Sequence, residues 1–372
     1  MTAAPHVLPR EAEGPAAAQN TAGSIRFAGS SIFGAGDLVE VRSKEEILAT
    51  LDANGELESM PFMPEMLQYC GQRFRVYKRA HKSCDTVSGA YKGLKLENAV
   101  HLSLRCDGSA HGGCQAGCLL FWKDDWLKPV ETASSPTAAR PSPRRADCTE
   151  QQLLDAVSDG RPPEQRRYSC QATRLLAYSA ALKWWSFGQY LEDFTSGNAK
   201  PSEMWHSFAY ATYVTLTMAH RRTLGKPGRW LYDQFQKLRG GLPFPARKGK
   251  FAVNQVTPCE PLDLQPGELV RVKSYEEILA TLNITGGNGR LQFDADMVPS
   301  CGKIYRVLTR IEKFVDEKDG RLHGLKRPAI ILEDAVCHGC YSHDRMMCPR
   351  SIYSWWREVW LERVPENSDA RQ

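Results

Sequence analysis

Apolar and polar side chains alternate over residues 38–41, where the sequence reads Leu-Val-Glu-Val. This period of two residues is typical of a strand that buries one face. Ser43 follows, and Glu46 stands three residues later, which is the spacing of a capping box at the start of a helix. The pattern therefore predicts a short strand and then a short helix over 44–51. Further strand-like segments complete the region: 74–79, 99–104 and 126–130.

This pattern occurs twice in the chain. Residues 36–130 recur as residues 267–364, first with an offset of 231 positions and then, after a three-residue insertion in the second copy, with an offset of 234. The first offset pairs Gly36 with Gly267, Cys70 with Cys301 and Cys106 with Cys337, and the second pairs Cys114 with Cys348 and Trp126 with Trp360. A similarity this long and colinear indicates an internal duplication, so both copies are expected to share one fold.

The opening of each copy resembles a known fold family. Residues 36–41 read Gly-Asp-Leu-Val-Glu-Val and residues 267–272 read Gly-Glu-Leu-Val-Arg-Val, and this sequence resembles the first strand of SH3-like barrels of the KOW type. A longer pattern, formed by residues 70–76 and 111–118, resembles bacterial cysteine-rich proteins. The resemblance implies that residues 31–130 and 260–364 are two small SH3-like β-barrels. The several short strands of each copy fit such a barrel.

The segment between the copies has a different period. Over residues 149–250, apolar side chains recur every three or four positions, which predicts a helical domain with its aromatic side chains in the core. Two runs carry this pattern: Trp184, Phe187, Leu191 and Phe194, and then Met204, Phe208, Ala211, Val214 and Met218. The predicted fold class is therefore α+β, with two homologous barrels that flank an inserted helical domain. Stretches poor in large apolar side chains predict disorder at 1–30 and 131–148, and a C-terminal tail at 365–372.

Charge and hydropathy limit which cellular compartment and which classes of partner are compatible with the sequence. The chain has 48 Lys and Arg against 43 Asp and Glu, a net charge of +5, and the excess lies in the helical segment. A basic surface attracts polyanions, so nucleic acid is one candidate partner and an unknown protein is another. No stretch reaches the ~20 apolar residues that span a bilayer, and no secretory leader is visible. We therefore expect a cytoplasmic protein without a membrane partner.

The twelve cysteines offer the strongest candidate chemistry. Thiols stay reduced in the cytosol, where clustered cysteines are expected to bind metal or to be buried as small apolar side chains. Four cysteines belong to each repeat: Cys70, Cys106, Cys114 and Cys118 in the first, and Cys301, Cys337, Cys340 and Cys348 in the second. Because four thiolates close the tetrahedral shell of zinc, we expect two structural zinc sites, one per repeat.

The sequence also allows other ligand residues and an iron–sulfur cluster instead of zinc. If Cys70 and Cys301 are core residues, the substitute ligands are Cys84, His111, His338 and His343. An iron–sulfur cluster is the alternative to zinc, although neither cysteine-rich loop has the compact cysteine runs of ferredoxins. Cysteines outside the repeat pattern are expected to be structural thiols: Cys148, Cys170 and Cys259.

The sequence has no recognisable catalytic motif. One Glu-x-x-His pair, Glu203 with His206, is half of what a di-iron bundle needs, and neither a glycine-rich phosphate loop nor a nucleophile elbow is present. The leading hypothesis is a non-catalytic binding or scaffold protein with two structural four-cysteine metal sites. One alternative is an enzyme or electron-transfer protein that uses an iron–sulfur or open zinc site. The other is a nucleic-acid-binding protein that uses the basic helices and KOW-like strands.

Overall fold

The computed structural model describes residues 31–88, 92–130, 148–219, 225–238 and 248–365. The segments predicted to be disordered, 1–30 and 131–148, and the predicted tail, 365–372, lie outside these ranges except for Cys148 and Pro365. The described part of the chain is 24% helical and 29% strand, and one sheet curls into half a barrel, which is consistent with the predicted α+β class; the two-barrel arrangement stays a prediction.

The chain divides into two compact units. The first contains Met1–Pro201 together with Lys313–His323 and Cys348–Arg350. The second contains Ser202–Glu312, Gly324–Met347 and Ser351–Gln372. The segment predicted as one helical domain, 149–250, therefore contributes its first part to one unit and its second part to the other.

The first unit is built on a five-stranded antiparallel sheet of order β8-β7-β4-β1-β9, beside a smaller sheet of order β10-β6-β5 and the two-stranded β2-β3 ribbon. Its strands are β1 Leu38–Val41, β2 Glu56–Leu57, β3 Met60–Pro61, β4 Arg73–Arg79, β5 Lys82–Cys84, β6 Gly93–Lys95, β7 Ala99–Arg105, β8 Leu119–Lys123, β9 Leu127–Pro129 and β10 Ala180–Leu182. Its helices are α1 Lys44–Leu48, α2 Glu150–Asp155 and α3 Gly188–Thr195, with 3-10 helices at Pro64–Tyr69 and Asp124–Trp126.

The local patterns of the first unit lead to this arrangement. Val39 and Val41 are buried on one face of β1, as their alternation with polar residues predicts. Ser43 and Glu46 form the predicted capping box of α1. The helix ends at Leu48 rather than at residue 51, because the last residues of the predicted span turn back to bury Leu51 in the core.

The second unit repeats the main sheet, with the order β16-β15-β14-β11-β17. Its strands are β11 Leu269–Val272, β12 Gly287–Asn288, β13 Leu291–Gln292, β14 Ile304–Val315, β15 Leu322–Val336, β16 Tyr353–Trp356 and β17 Leu361–Arg363. The end of β14, the start of β15 and the turn between them, Lys313–His323, belong to the first unit. The helices that follow α3 are α4 Pro201–Ala219, α5 Gly225–Leu238 and α6 Tyr275–Leu279, with 3-10 helices at Ala295–Ser300 and Glu358–Trp360.

Strand register in the two sheets follows the offsets found in the sequence. Leu38 of β1 pairs with Arg75, and Leu269 of β11 pairs with Arg306, which lies 231 positions after Arg75. Val39 pairs with Pro129, and Val270 pairs with Arg363, which lies 234 positions after Pro129. The two copies thus fold into sheets with the same strand order, and the pairs that β1 and β11 form have equivalent register.

Helix α3 departs from the expectation that aromatic side chains of the middle segment form a core. Phe187, Leu191 and Phe194 recur at helical spacing on one face, and this face is exposed. The opposite face buries Glu192 and Asp193. These acids turn inward because basic side chains of the first copy face them, so ion pairing rather than apolar burial orients the helix.

Candidate metal centre

Three side chains of the first unit bring metal-ligating atoms together. Glu65 lies in the 3-10 helix Pro64–Tyr69, Cys106 follows the last residue of β7, and His111 lies in the loop before β8. The carboxylate oxygen, the thiol sulfur and the imidazole nitrogen all lie within 4.8 Å of one another. Among the residues that the structure describes, no other group of three or more Cys, His, Asp or Glu side chains has its ligand atoms this close together.

Glycines allow the loop after β7 to fold back on itself. Gly108, Gly112 and Gly113 all have positive φ angles, a region that L side chains rarely adopt. At Gly108, an added Cβ would lie 2.0 Å from the carbonyl oxygen of Cys114. The amides of His111 and Gly113 both donate to the Gly108 carbonyl at 3.0 Å. The tight loop positions His111 above Cys106 and next to Glu65.

One carboxylate oxygen of Glu65, Oε1, takes part in the polar contacts of the site. Glu65 Oε1 accepts from the Ala110 amide at 3.2 Å, lies 2.6 Å from His111 Nδ1 and accepts from the Cys106 thiol at 3.8 Å. Glu65 Oε2 is buried and has no hydrogen-bond partner in the described structure. The side chains of Glu65 and His111 are only 1% and 2% exposed. A buried carboxylate oxygen without a partner is costly, and a cation would satisfy it.

The second nitrogen of His111 fixes the tautomer that could bind a cation. His111 Nε2 lies 3.1 Å from the carbonyl oxygen of Ser169. A carbonyl oxygen only accepts, so Nε2 carries a hydrogen. The 2.6 Å contact between Nδ1 and Glu65 Oε1 joins two atoms that need a proton between them, and a cation bound by both would take the place of that proton. A backbone carbonyl that holds the remote N–H of an imidazole is the usual support for a metal-ligating histidine.

The sulfur of Cys106 lies in a low-dielectric environment. Burial, followed by the nearby Glu65 carboxyl group, raises the pKa of the Cys106 thiol. The Gly108 amide donates to the sulfur at 3.3 Å, which favours the thiolate but does not offset burial. A bound cation would supply the missing positive charge, because metal binding and thiol deprotonation are coupled.

The second unit contains a related arrangement with one decisive difference. Asp296 stands 231 positions after Glu65, and its carboxylate accepts from the Tyr341 amide at 2.9 Å and from Cys337 Sγ at 3.6 Å. Where His111 stands in the first copy, the second has Ser342, whose hydroxyl donates to Asp296 Oδ2 at 2.9 Å. Both copies therefore anchor the cysteine-rich loop on a buried carboxylate, but only the first adds an imidazole.

The predicted four-cysteine sets are distributed as follows. Of the first set, Cys106 lies in the metal-ligating group, while Cys70 ends the 3-10 helix Pro64–Tyr69 and Cys114 Sγ accepts from the Val315 amide at 3.3 Å. Burial raises the pKa of the Cys118 thiol, which follows the loop.

In the second set, Cys301 ends the 3-10 helix Ala295–Ser300 and Cys337 contacts Asp296. Cys340 Sγ lies 4.0 Å from the His338 carbonyl, and Cys348 belongs to the first unit. None of the twelve cysteines, all of which the structure describes, forms a disulfide. The two sets stay predictions.

The sequence named two of the three clustered residues. Cys106 is a predicted ligand and His111 a substitute ligand, but Glu65 was missed. A signal for it exists: an acidic residue occupies the same repeat position in both copies, as Glu65 and as Asp296, in segments that are otherwise mostly apolar. A carboxylate retained within an apolar segment indicates a buried polar role.

Comparisons with family models, curated proteins and solved structures return no match, so the function of this site has to be argued from its own geometry. Within the described part of the chain, no helix combines the length and apolar character that crossing a membrane requires.

Proposed function

We propose that the protein is a non-catalytic binding or scaffold protein whose first unit is fastened by a zinc ion bound to Glu65, Cys106 and His111. The observation that carries this proposal is the convergence of three donors, of which Glu65 and His111 are buried and Cys106 is partly buried, and one oxygen of Glu65 has no partner. Thiolate sulfur, imidazole nitrogen and carboxylate oxygen are the donors that zinc takes in proteins. An iron–sulfur cluster is less well supported, because such clusters are held mainly by thiolates.

The zinc ion has a structural role in this proposal. Glu65 belongs to a 3-10 helix, Cys106 directly follows strand β7, and His111 lies in the loop between β7 and β8. An ion at this place ties the three elements together, and its binding free energy adds to the stability of the fold. Around it we propose two small SH3-like barrels, one for each copy of the repeat, that present surfaces to a protein or polyanionic partner.

Elemental analysis of the purified full-length chain tests the metal. We expect one equivalent of zinc per chain and no iron. His111→Ser gives the first copy the residue that the second copy carries at this position, so this variant is expected to fold and to lose the zinc. Cys114→Ser is the matched control in the same loop, and it should keep the zinc because Cys114 lies outside the ligand group.

Other outcomes decide between the metal hypotheses. Two equivalents of zinc, of which Cys114→Ser and Cys348→Ser each remove one, would support the four-cysteine sites instead. A protein purified without a chelator that contains no zinc, and that takes up none from a zinc buffer, would refute both.

A further inference from the structure

Two cysteines of the first unit face each other across adjacent strands. The last pair in the β7-β8 ladder is Arg105 with Leu119, so the next pair is Cys106 with Cys118. The amide of Cys106 donates to the carbonyl of Cys118 at 2.8 Å, which fixes this register. Residues directly opposite in an antiparallel pair have Cα atoms roughly 4.5–5.5 Å apart and side chains on one face. A disulfide needs a Cα separation of about 4.4–6.8 Å.

We infer that Cys106 and Cys118 are a redox-active dithiol that a peroxide converts to a disulfide, and that this oxidation withdraws Cys106 from the metal centre. The pairing of Cys106 with Cys118 is inferred from the register of strands β7 and β8 and does not depend on the metal. The link to the metal rests on the proposed zinc site, because one sulfur cannot be both a zinc ligand and half of a disulfide.

The second copy supports a joint role for the two features. In that copy the amide of Cys337 donates to the carbonyl of Ile352 at 2.7 Å, so Ile352 occupies the place of Cys118. The same copy has Ser342 in the place of His111. The ligand histidine and the opposing thiol are thus both present in the first copy and both absent from the second, as expected if they belong to one device.

The neighbouring thiols are less suited to pair with Cys106. Cys114 Sγ already accepts a hydrogen bond from the amide of Val315. Cys170 is partly buried near Cys106 but lies outside the β7-β8 ladder, and it forms hydrogen bonds with Thr173. The residue opposite Cys106 in register is Cys118.

The chemistry balances with hydrogen peroxide as the oxidant. Peroxide transfers one oxygen to the thiolate form of Cys106, which becomes a sulfenic acid, and the peroxide is reduced to water. Because burial favours the protonated thiol, we expect this step to be slow at neutral pH and faster as the pH rises. The Cys118 thiol then attacks that sulfur, the S–S bond forms, and the hydroxyl group leaves as a second water with the thiol proton. Two thiols are oxidised by two electrons, and a thiol reductant reverses the reaction by exchange.

Peptide mapping of the full-length protein tests the inference. The reduced protein is treated with hydrogen peroxide, free thiols are blocked with N-ethylmaleimide, and the protein is digested with a protease that cleaves before Asp. Cleavage before Asp85, Asp107 and Asp124 separates Cys106 from Cys118 and gives fragments 85–106 and 107–123. We expect these fragments to be joined after oxidation and separate after reduction.

Variants identify the second sulfur. Cys118→Ile copies Ile352 of the second copy and is expected to fold and to abolish the joined fragments, whereas Cys114→Ser should retain them. No joined fragments in the wild type, or fragments joined through Cys114 or Cys170, would overturn the inference. The wild-type map gives this answer even if a variant fails to fold.

Zinc content measured in parallel separates the inference from the proposed function. We expect the zinc bound to the reduced protein to become available to a colorimetric chelator as the disulfide forms. A disulfide in a chain that never binds zinc refutes the metal site and leaves the dithiol standing. If the disulfide forms while the zinc stays bound, the inference that oxidation withdraws Cys106 from the metal is wrong.

Discussion

Single residue positions show what the duplication preserved and what it changed. The buried carboxylate is present in both copies, as Glu65 and as Asp296, and in each it binds a backbone amide of the cysteine-rich loop. The imidazole is present in the first copy, and a hydroxyl replaces it in the second. A serine hydroxyl is a poor zinc ligand compared with imidazole, so under the proposed function the exchange at this one position would leave metal binding to the first copy.

Restoring the imidazole should restore a site. In Ser342→His, an imidazole joins Asp296 and Cys337, so zinc should rise from one to two equivalents per chain by elemental analysis. The double variant Ser342→His/Cys337→Ala lacks the sulfur donor and should return to one equivalent. A single variant that folds and binds no additional zinc would show that the three donor types do not suffice in this backbone.

The burial of His101 predicts that the stability of the first unit depends on pH. It is fully buried in β7, where Nδ1 lies 2.9 Å from the Leu120 carbonyl and the ring lies against Phe121. Burial lowers the pKa of His101 from 6.5 to about 3, because the charged ring would lose its hydration. The folded-state pKa is below the unfolded one, so this stability is complete above pH 6.5 and is lost as the pH falls from 6.5 toward 3.

We therefore expect the free energy of unfolding of the first unit to fall between pH 7 and pH 5 by about 2 kcal/mol through this residue. In His101→Ile, which gives the first copy the residue that occupies the same strand register in the second copy, Ile331, that part of the pH dependence should disappear. Urea denaturation of both proteins at the two pH values measures it. Equal slopes in the two proteins would show that His101 does not titrate as its burial implies.

Helix α3 illustrates how an element can be oriented by ion pairs rather than by its apolar face. Asp193 is completely buried and forms an ion pair with Lys82 of β5, while His81 Nε2 lies 3.2 Å from its other oxygen. Glu192 lies 3.6 Å from Arg79. These contacts fix the polar side inward, and the apolar side of the helix, with Phe187 and Phe194, remains exposed.

Removing one partner of this buried pair should be costly. Asp193→Ala leaves the ammonium group of Lys82 buried without compensation, and we expect a loss of about 3–5 kcal/mol in the free energy of unfolding. Glu150→Ala is the matched control, because it breaks an exposed ion pair with Lys44 and should cost less than about 1 kcal/mol. Urea denaturation of the two variants compares them, and similar losses in both would mean that the buried pair is not a specific determinant of α3.

At the scale of the whole molecule, the boundaries of the repeat and those of the compact units differ. The first unit includes Lys313–His323 and Cys348–Arg350, which belong by sequence to the second copy. Inside that unit the amide of Lys313 donates to Gln115 Oε1 at 3.0 Å, and the buried Arg350 pairs with Glu317 at 2.7 Å. The first unit is therefore assembled from three stretches of chain.

Removing the metal should affect the two equivalent loops differently. If zinc stabilises the first unit, a strong chelator should increase amide hydrogen exchange in the loop 106–118, because a ligand that binds only the folded state adds to its stability. The equivalent loop of the second copy, 337–352, has Ser342 instead of an imidazole on its buried carboxylate and should exchange at an unchanged rate. Equal increases in both loops would point to a metal in each copy, as the four-cysteine prediction has it.

The sequence by itself determined the duplication, the strands β1, β4, β7 and β9 of the first copy, and the capped helix α1 with its repeat α6. These features depend on side chains close together in sequence: the alternation in β1 and the Ser43 and Ser274 capping boxes. Local patterns of this kind act over a few residues, so they can be read without knowing the fold.

Only the tertiary structure decided which distant side chains meet. Glu65 and His111 are separated by 46 positions and Lys82 and Asp193 by 111, yet each pair is in contact and buried. The partner of such a residue depends on how loops close and strands align, and local sequence does not encode this. For the same reason, cysteine spacing suggested metal ligands, whereas the folded chain brought one cysteine together with a carboxylate and an imidazole.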